Sequence, residues 1–203
     1  MSQPTLYGIS GSRAIRSIWA MEEVGAAYTH VPTHFIKDSK APEYLAVNPN
    51  GRIPSLVDGE LTLCESMAIN LYAAEKWGKG LYPVGLEERA QVHQWSVWGI
   101  SEIEPLQMRI VVQKFFTPEE KRNAKVVAVA EKDLERPFGV LDAHLADRAY
   151  LLGDSFSIAD LNVAGVMLLL QLIEFDYSAF ANVKRWADAC YARPSLAAAQ
   201  ARD

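Results

Sequence analysis

Cysteine and histidine are scarce in this 203-residue chain, two of the first and four of the second, and their scarcity excludes whole classes of chemistry. Cys64 and Cys190 lie far apart, the first after Leu63 in a β-forming run and the second between Ala189 and Tyr191, so they read as interior side chains and not as a disulfide framework. His30, His34, His93 and His144 have neither metal-ligand spacing nor a nucleophile motif beside them, and no metal is expected. Charge of one sign is not concentrated: the net charge of −5 is spread without acidic or basic runs. That pattern argues against a nucleic-acid footprint or a polybasic membrane contact and favours a small-molecule partner. No apolar run reaches the length of a membrane span, and Met1-Ser2-Gln3-Pro4 leads into a strand-like segment without a charged and then apolar leader. The cytoplasm is the expected location.

What is present is enough apolar material for one large core or two modest ones, half the residues being hydrophobic and 22% charged. Thr5 to Ile9 are β-formers that end at Ser10-Gly11-Ser12; Ile15, Ile18 and Trp19 then fall at helical spacing until Gly25. Tyr28 to Pro32 is a second short strand, parallel to the first by the right-handed crossover rule. After the Asn48-Pro49-Asn50-Gly51 loop, Ser55-Leu56-Val57 and Leu61-Thr62-Leu63 flank Asp58-Gly59 as a hairpin, and a helix runs from Glu65-Ser66 to Gly78. The sum is βαβ then ββα, a thioredoxin-like arrangement in about 80 residues. From Glu87 onward the periodicity is helical. The fold class is therefore α/β plus all-α, with domain 1–79, a Gly- and Pro-bearing linker 80–86, and a helical bundle domain 87–203. Within the latter, Thr117-Pro118-Glu119-Glu120 predicts a helix start. Ser157 and Asp160 have capping-box spacing ahead of an apolar helix through Val163, Val166, Met167 and Leu170.

Asn48-Pro49-Asn50-Gly51-Arg52-Ile53-Pro54-Ser55-Leu56, a hairpin, then Glu65-Ser66-Met67-Ala68-Ile69 resembles the glutathione-binding signature of the cytosolic glutathione S-transferase superfamily. Lys40-Ala41-Pro42-Glu43-Tyr44-Leu45 upstream and the Ser157/Asp160 capping box downstream fall in the same order as in that family, so the similarity covers nearly the whole chain. Phi, theta and related bacterial members are the nearest in pattern.

The resemblance implies glutathione as co-substrate and a site with three parts. Glu65 and Ser66, at a helix start, offer a carboxylate for the γ-glutamyl ammonium and a hydroxyl with open backbone N–H groups for its carboxylate; the alternative is that Ser66 only caps the helix. Ile53-Pro54 in the family is a cis peptide that turns the Ile53 backbone toward the cysteinyl unit like an added strand; base rates for X-Pro bonds alone favour a trans proline opening an edge strand, and it is the resemblance that reverses this. Lys40 matches a lysine that neutralises the glycyl carboxylate in phi-like members. Arg52 stands where many relatives have glutamine, and either reaches the glycyl end or is solvated.

Catalysis requires a thiolate, and a free thiol of pKa about 8.5 is only a few per cent ionised at neutral pH. Ser12, after the first strand and four residues before Arg16, resembles the catalytic serine of theta-like members; Ser10 is the alternative, and Tyr7 reads as core. The cysteine that redox relatives carry in this loop is absent. The second substrate, a hydrophobic electrophile or a peroxide, is expected between the first-strand loop and the early helices of the second domain. Among Trp95, Trp98, Met108, Val112, Phe115 and Phe116, the residues singled out for it are Met108, Val112 and Phe116. A homodimer is expected. The rival reading is a relative of the family that uses the scaffold for protein interaction or ligand carriage without turnover.

Overall fold

The structure, a computed structural model, describes residues 3–203; Met1 and Ser2, where the segment read as lacking a leader begins, lie outside the described residues. In chain order the elements are β1 (Thr5–Tyr7), α1 (Ile15–Val24), β2 (Thr29–Val31), α2 (Pro42–Leu45), β3 (Ser55–Asp58), β4 (Leu61–Cys64) and α3 (Ser66–Trp77). They continue as α4 (Leu86–Trp98), α5 (Glu104–Val111), α6 (Ala124–His144), α7 (Ile158–Leu172), α8 (Ala181–Tyr191) and α9 (Pro194–Gln200). The chain divides into two compact units, one of residues up to 84 together with 192–203, the other of residues 85–191.

The first unit is built on a four-stranded sheet of order β2-β1-β3-β4. β1 is parallel to β2 and antiparallel to β3, and β3 is antiparallel to β4. This is the thioredoxin-like βαβ-ββα layout. Tyr7 pairs with Ser55, and Ser55 with Cys64, so this register brings the end of β1, the start of β3 and the end of β4 together at one end of the sheet. α1 carries Ile15, Ile18, Trp19 and Met21 on its buried face and packs against α3, which buries Ile69, Ala73 and Ala74; Leu6 and Leu56 of the sheet are buried too. Burying each large apolar side chain contributes roughly 1.5–3 kcal/mol. β1 stops sooner than its β-formers predict, because Gly8 takes φ +148° and a Cβ there would lie 2.3 Å from the Ala14 side chain. Only glycine lets the chain turn so close to the start of α1.

Residues 192–203, which the sequence pattern groups with the helical domain, pack with the first unit, α9 lying against α1. Two adjacent carboxylates on α1 anchor them. Glu23 pairs with Arg193 and accepts from Ser195, whose Oγ also accepts the Trp19 indole N–H at 3.0 Å. Glu22 accepts from Arg202 Nε at 2.7 Å and from the Tyr28 hydroxyl at 2.7 Å, and the Arg202 guanidinium lies 4.7 Å over the Tyr28 ring.

In the second unit α4 and α5 form one run that widens into a π turn over Gly99–Ile103, and α5 ends in another over Val112–Phe116. Pro105 at the start of α5 has no N–H to give the preceding turn, which accounts for the first widening. The helix expected from Pro118 does not form: Glu119–Lys121 makes one 3₁₀ turn, and α6 begins at Ala124, where the Asn123 side chain accepts the Lys125 N–H at 3.0 Å. The acids at 119 and 120 mimic a first turn, but Pro118 and Arg122 are extended (ψ 142° and 137°) and the Asn123 cap takes over. α7 is the buried centre of this unit, with Ile158 to Met167 and Leu170 inaccessible. It starts at the Ser157/Asp160 capping box. Asp160 does more than cap: it accepts from the Ser157 N–H and hydroxyl, the Leu151 N–H and the Trp186 indole N–H, all between 2.8 and 2.9 Å. Burial pushes its carboxyl pKa up despite these four donors.

Candidate functional site

Because the termini of β1, β3 and β4 meet at one end of the sheet, the loops that follow or precede them converge. A Cβ placed on Gly8 would lie 3.8 Å from Ile53 Cβ, so the loop from Gly8 to Ala14 begins beside the Ile53-Pro54 turn. Glu65, directly after Cys64, follows the strand paired with Ser55. The residues anticipated for the thiol, the cysteinyl backbone and the γ-glutamyl end therefore come from three loops at one end of one sheet.

The Ile53-Pro54 bond is cis. A buried polar group set behind it holds the turn: the Arg52 carbonyl accepts from the Tyr44 hydroxyl at 2.6 Å and from Asn48 Nδ2 at 2.7 Å, and Ser55 Oγ lies 2.8 Å from the same hydroxyl. Burial pushes the Tyr44 phenol pKa up, with hydrogen bonds from Ser55 and Asn48 acting against it, so Tyr44 stays an O–H donor in the neutral range. Arg52 itself is exposed. Lys40, also exposed, donates its ammonium to the Gly51 carbonyl at 2.5 Å, which brings a positive charge next to Arg52. Neither Tyr44 nor Asn48 was visible as a site-forming residue in the sequence; a buried tyrosine in the short α2 gave no signal for where its hydroxyl points.

Glu65 takes φ +71° and is exposed, and Ser66 is the first residue of α3, 8% accessible. With its left-handed backbone Glu65 turns the chain sharply from strand into helix. The N–H groups of the first turn of α3 have no carbonyl one turn earlier to meet, which leaves an anion-accepting end at this place.

Ser12 is tied into its own loop. Its hydroxyl donates to the Ile9 carbonyl at 2.7 Å and its Oγ accepts the Ala14 N–H at 3.0 Å. The Gly8 carbonyl meets the His30 ring at 2.8 Å and accepts the Thr33 N–H. Ser10, two residues before Ser12, gives its backbone N–H to both oxygens of the Asp203 carboxylate, at 2.9 and 3.1 Å. Tyr7 is half-buried with its ring edge-on to Tyr44 at 5.8 Å.

In the second unit Met108, Val112 and Phe116 recur at a four-residue spacing on α5 and the π turn after it. Met108 is half-buried, while Val112 and Phe116 are 41% and 59% exposed. Trp95 by contrast is buried, packed against Trp98 and the His144 ring. Among the described residues no group of three or more His, Cys, Asp or Glu could hold a metal ion, and no helix is long and apolar enough to cross a membrane.

The comparisons with known proteins follow the same division of the chain. Residues 2–75 match the N-terminal domain of glutathione S-transferases and residues 103–194 the C-terminal domain. Glutathione S-transferase 4 of Zea mays is 36% identical over 186 residues, covering 89% of this chain and 83% of the relative. Glutathione S-transferase 1 of Zea mays is 35% identical over 203 residues, covering 97% and 95%. Among solved structures, the theta class glutathione S-transferase of Xanthomonas axonopodis pv. citri, with glutathione bound, superposes with a TM-score of 0.88 at 28% identity, over 100% of this chain and 99% of that one. With both of its halves matched and relatives aligned over nearly its whole length, the chain belongs to the glutathione S-transferase family.

Proposed function

We propose that this protein binds glutathione, holds its thiol as a thiolate, and directs it onto a hydrophobic electrophile or a peroxide. The observation that carries the reading is the convergence of three elements at one end of the sheet: the serine loop, the cis Ile53-Pro54 turn and the start of α3. Each meets one chemical feature of the tripeptide. The Ile53 backbone pairs with the cysteinyl backbone. Ser66 and the first N–H groups of α3 take the γ-glutamyl carboxylate while Glu65 takes its ammonium. Lys40 and Arg52, two exposed cations beside the turn, neutralise the glycyl carboxylate.

Ser12 acts on sulfur. Its Oγ stays held by the Ala14 N–H while its O–H turns from the Ile9 carbonyl to donate a hydrogen bond to the sulfur. A thiolate accepts that hydrogen bond far better than a thiol, and a charge-assisted hydrogen bond is about twice as strong as a neutral one, so the exchange favours release of the thiol proton to solvent. Each unit by which the thiol pKa falls corresponds to about 1.4 kcal/mol. The ionised sulfur then forms a bond to an electrophilic carbon with departure of its leaving group, or attacks a peroxide oxygen. The latter attack breaks the O–O bond, releases an alcohol after protonation and leaves a glutathione sulfenic acid, which a second glutathione converts to the disulfide with loss of water. Met108, Val112 and Phe116 supply apolar contact for the second substrate. The working form is a cytoplasmic homodimer, a twofold assembly being the commonest oligomer for a chain of this kind.

The test is isothermal titration with glutathione, followed by the ultraviolet absorbance of the thiolate across pH and turnover of an activated aryl halide. Binding with ionisation below the pH at which free glutathione ionises supports the reading. Failure to bind at millimolar glutathione overturns it and favours the non-catalytic interaction protein.

A further inference from the structure

We propose that Asp203 is a positioning residue for the thiol-activating loop, acting through the Ser10 backbone N–H to fix the place of the Ser12 hydroxyl; this rests on the reading of Ser12 as the donor to sulfur.

The loop between β1 and α1 is anchored residue by residue. Gly8 is held from the strand side by His30 and Thr33. The Ile9 carbonyl takes the Ser12 hydroxyl, and Ala14 gives its N–H to Ser12 Oγ. Between these anchors Ser10 points its N–H outward, away from any helix or strand ladder, and its partner comes from 193 positions along the chain. Asp203 does not arrive there by chance of a loose tail. It follows Arg202, which is pinned to Glu22 and stacked on the Tyr28 ring, and α9, which Arg193 and Ser195 tie to Glu23. α1 thus carries both the loop at its start and, on Glu22 and Glu23, the anchors of the segment that reaches back to that loop. The Ser10 N–H and the Ile9 carbonyl belong to one peptide, so holding that N–H fixes the loop path that carries Ser12 Oγ, which the Ala14 N–H keeps in place when the hydroxyl turns from the Ile9 carbonyl to sulfur. A backbone N–H shared by two carboxylate oxygens is a charge-assisted contact, stronger than the neutral one a water would offer.

Charge and geometry make opposite demands here. A carboxylate near the sulfur opposes thiolate formation, whereas a fixed Ser12 promotes it. Asp203→Asn keeps an oxygen that accepts the Ser10 N–H and removes the charge; Asp203→Ala removes both. If positioning governs, Asp203→Ala lowers kcat about three- to tenfold with the KM for glutathione changed less than about twofold. The ionised fraction of bound glutathione at neutral pH falls with it, and Asp203→Asn restores both. In a Ser12→Ala background, Asp203→Ala adds almost nothing, since it acts through the group already removed. The proposal is overturned by wild-type kcat in Asp203→Ala, by a rise in ionised glutathione in both variants, by an Asp203→Asn as impaired as Asp203→Ala, or by losses that multiply with Ser12→Ala. Ser12→Ala alone examines the underlying reading separately: wild-type kcat there removes Ser12 as donor, whatever Asp203 does.

Discussion

The Tyr44 hydroxyl donates to the Arg52 carbonyl at 2.6 Å, eight residues further along the chain, and so supports from below the peptide that precedes Ile53. Asn48 gives that carbonyl a second donor and Ser55 sits beside the hydroxyl. Removing one buried hydroxyl of this kind costs about 0.5–1.5 kcal/mol. Tyr44→Phe is therefore expected to raise the KM for glutathione about three- to tenfold while kcat changes less than twofold, because the Ile53 backbone contributes to binding and not to sulfur chemistry. Steady-state kinetics with varied glutathione check this; a fall in kcat at unchanged KM contradicts it.

Asp160 sets the stability of the second unit. Asp160→Ala strands the Trp186 indole N–H, the Leu151 N–H and the Ser157 groups in a buried place, at about 1–3 kcal/mol for each group left without a partner. The loss is expected to exceed about 3 kcal/mol, against about 1 kcal/mol for Ser157→Ala, which removes only a cap. Denaturant titration of the two variants distinguishes them, and equal losses would mean that Asp160 acts as a helix cap alone.

Glu23 gives a pH dependence with a definite sign. Burial pushes its carboxyl up, but hydrogen bonds from Arg193 and Ser195 and the charge of Arg193 outweigh it, and the folded pKa lies below the ordinary 4.5. Its contribution is thus complete above the unfolded value and is lost as pH falls through the lower folded one. The melting-temperature gap between wild type and Glu23→Gln is expected to be constant above the ordinary carboxylate range and to close as pH falls through and below it. A gap that widens on acidification contradicts the assignment.

The local signals in the chain read through to structure where the physics is local. Ser157 and Asp160 sit three apart and form their box; the β-formers form their hairpin, its turn one position later than expected, at Gly59-Glu60 between the paired Asp58 and Leu61; Gly25 closes α1 in the left-handed conformation (φ 64°). Competition between local signals was less legible: Thr117-Pro118-Glu119-Glu120 and Asn123 both resemble helix starts, and the extended backbone at Pro118 and Arg122 left the helix to Asn123. Contacts across long separations were not legible at all. Nothing in residues 192–203 marks them as partners of α1, since two arginines and a serine near the end of a helical domain look like solvated surface until Glu22 and Glu23 are brought opposite them. The Ser10 to Asp203 contact is of the same kind, as is the Tyr44 hydroxyl under Arg52: each depends on chain paths that periodicity does not encode.

The central claim is that the Ser12 hydroxyl stabilises the glutathione thiolate, and the most direct measurement is the ultraviolet absorbance of bound thiolate against pH in wild type, Ser12→Ala and Ser10→Ala at saturating glutathione. The expected result is a thiol pKa raised by about one to two units in Ser12→Ala, with kcat at neutral pH down about ten- to a hundredfold and glutathione affinity nearly unchanged. Ser10→Ala, which keeps the backbone N–H held by Asp203, stays near wild type. A normal titration in Ser12→Ala, or its loss in Ser10→Ala instead, contradicts the account.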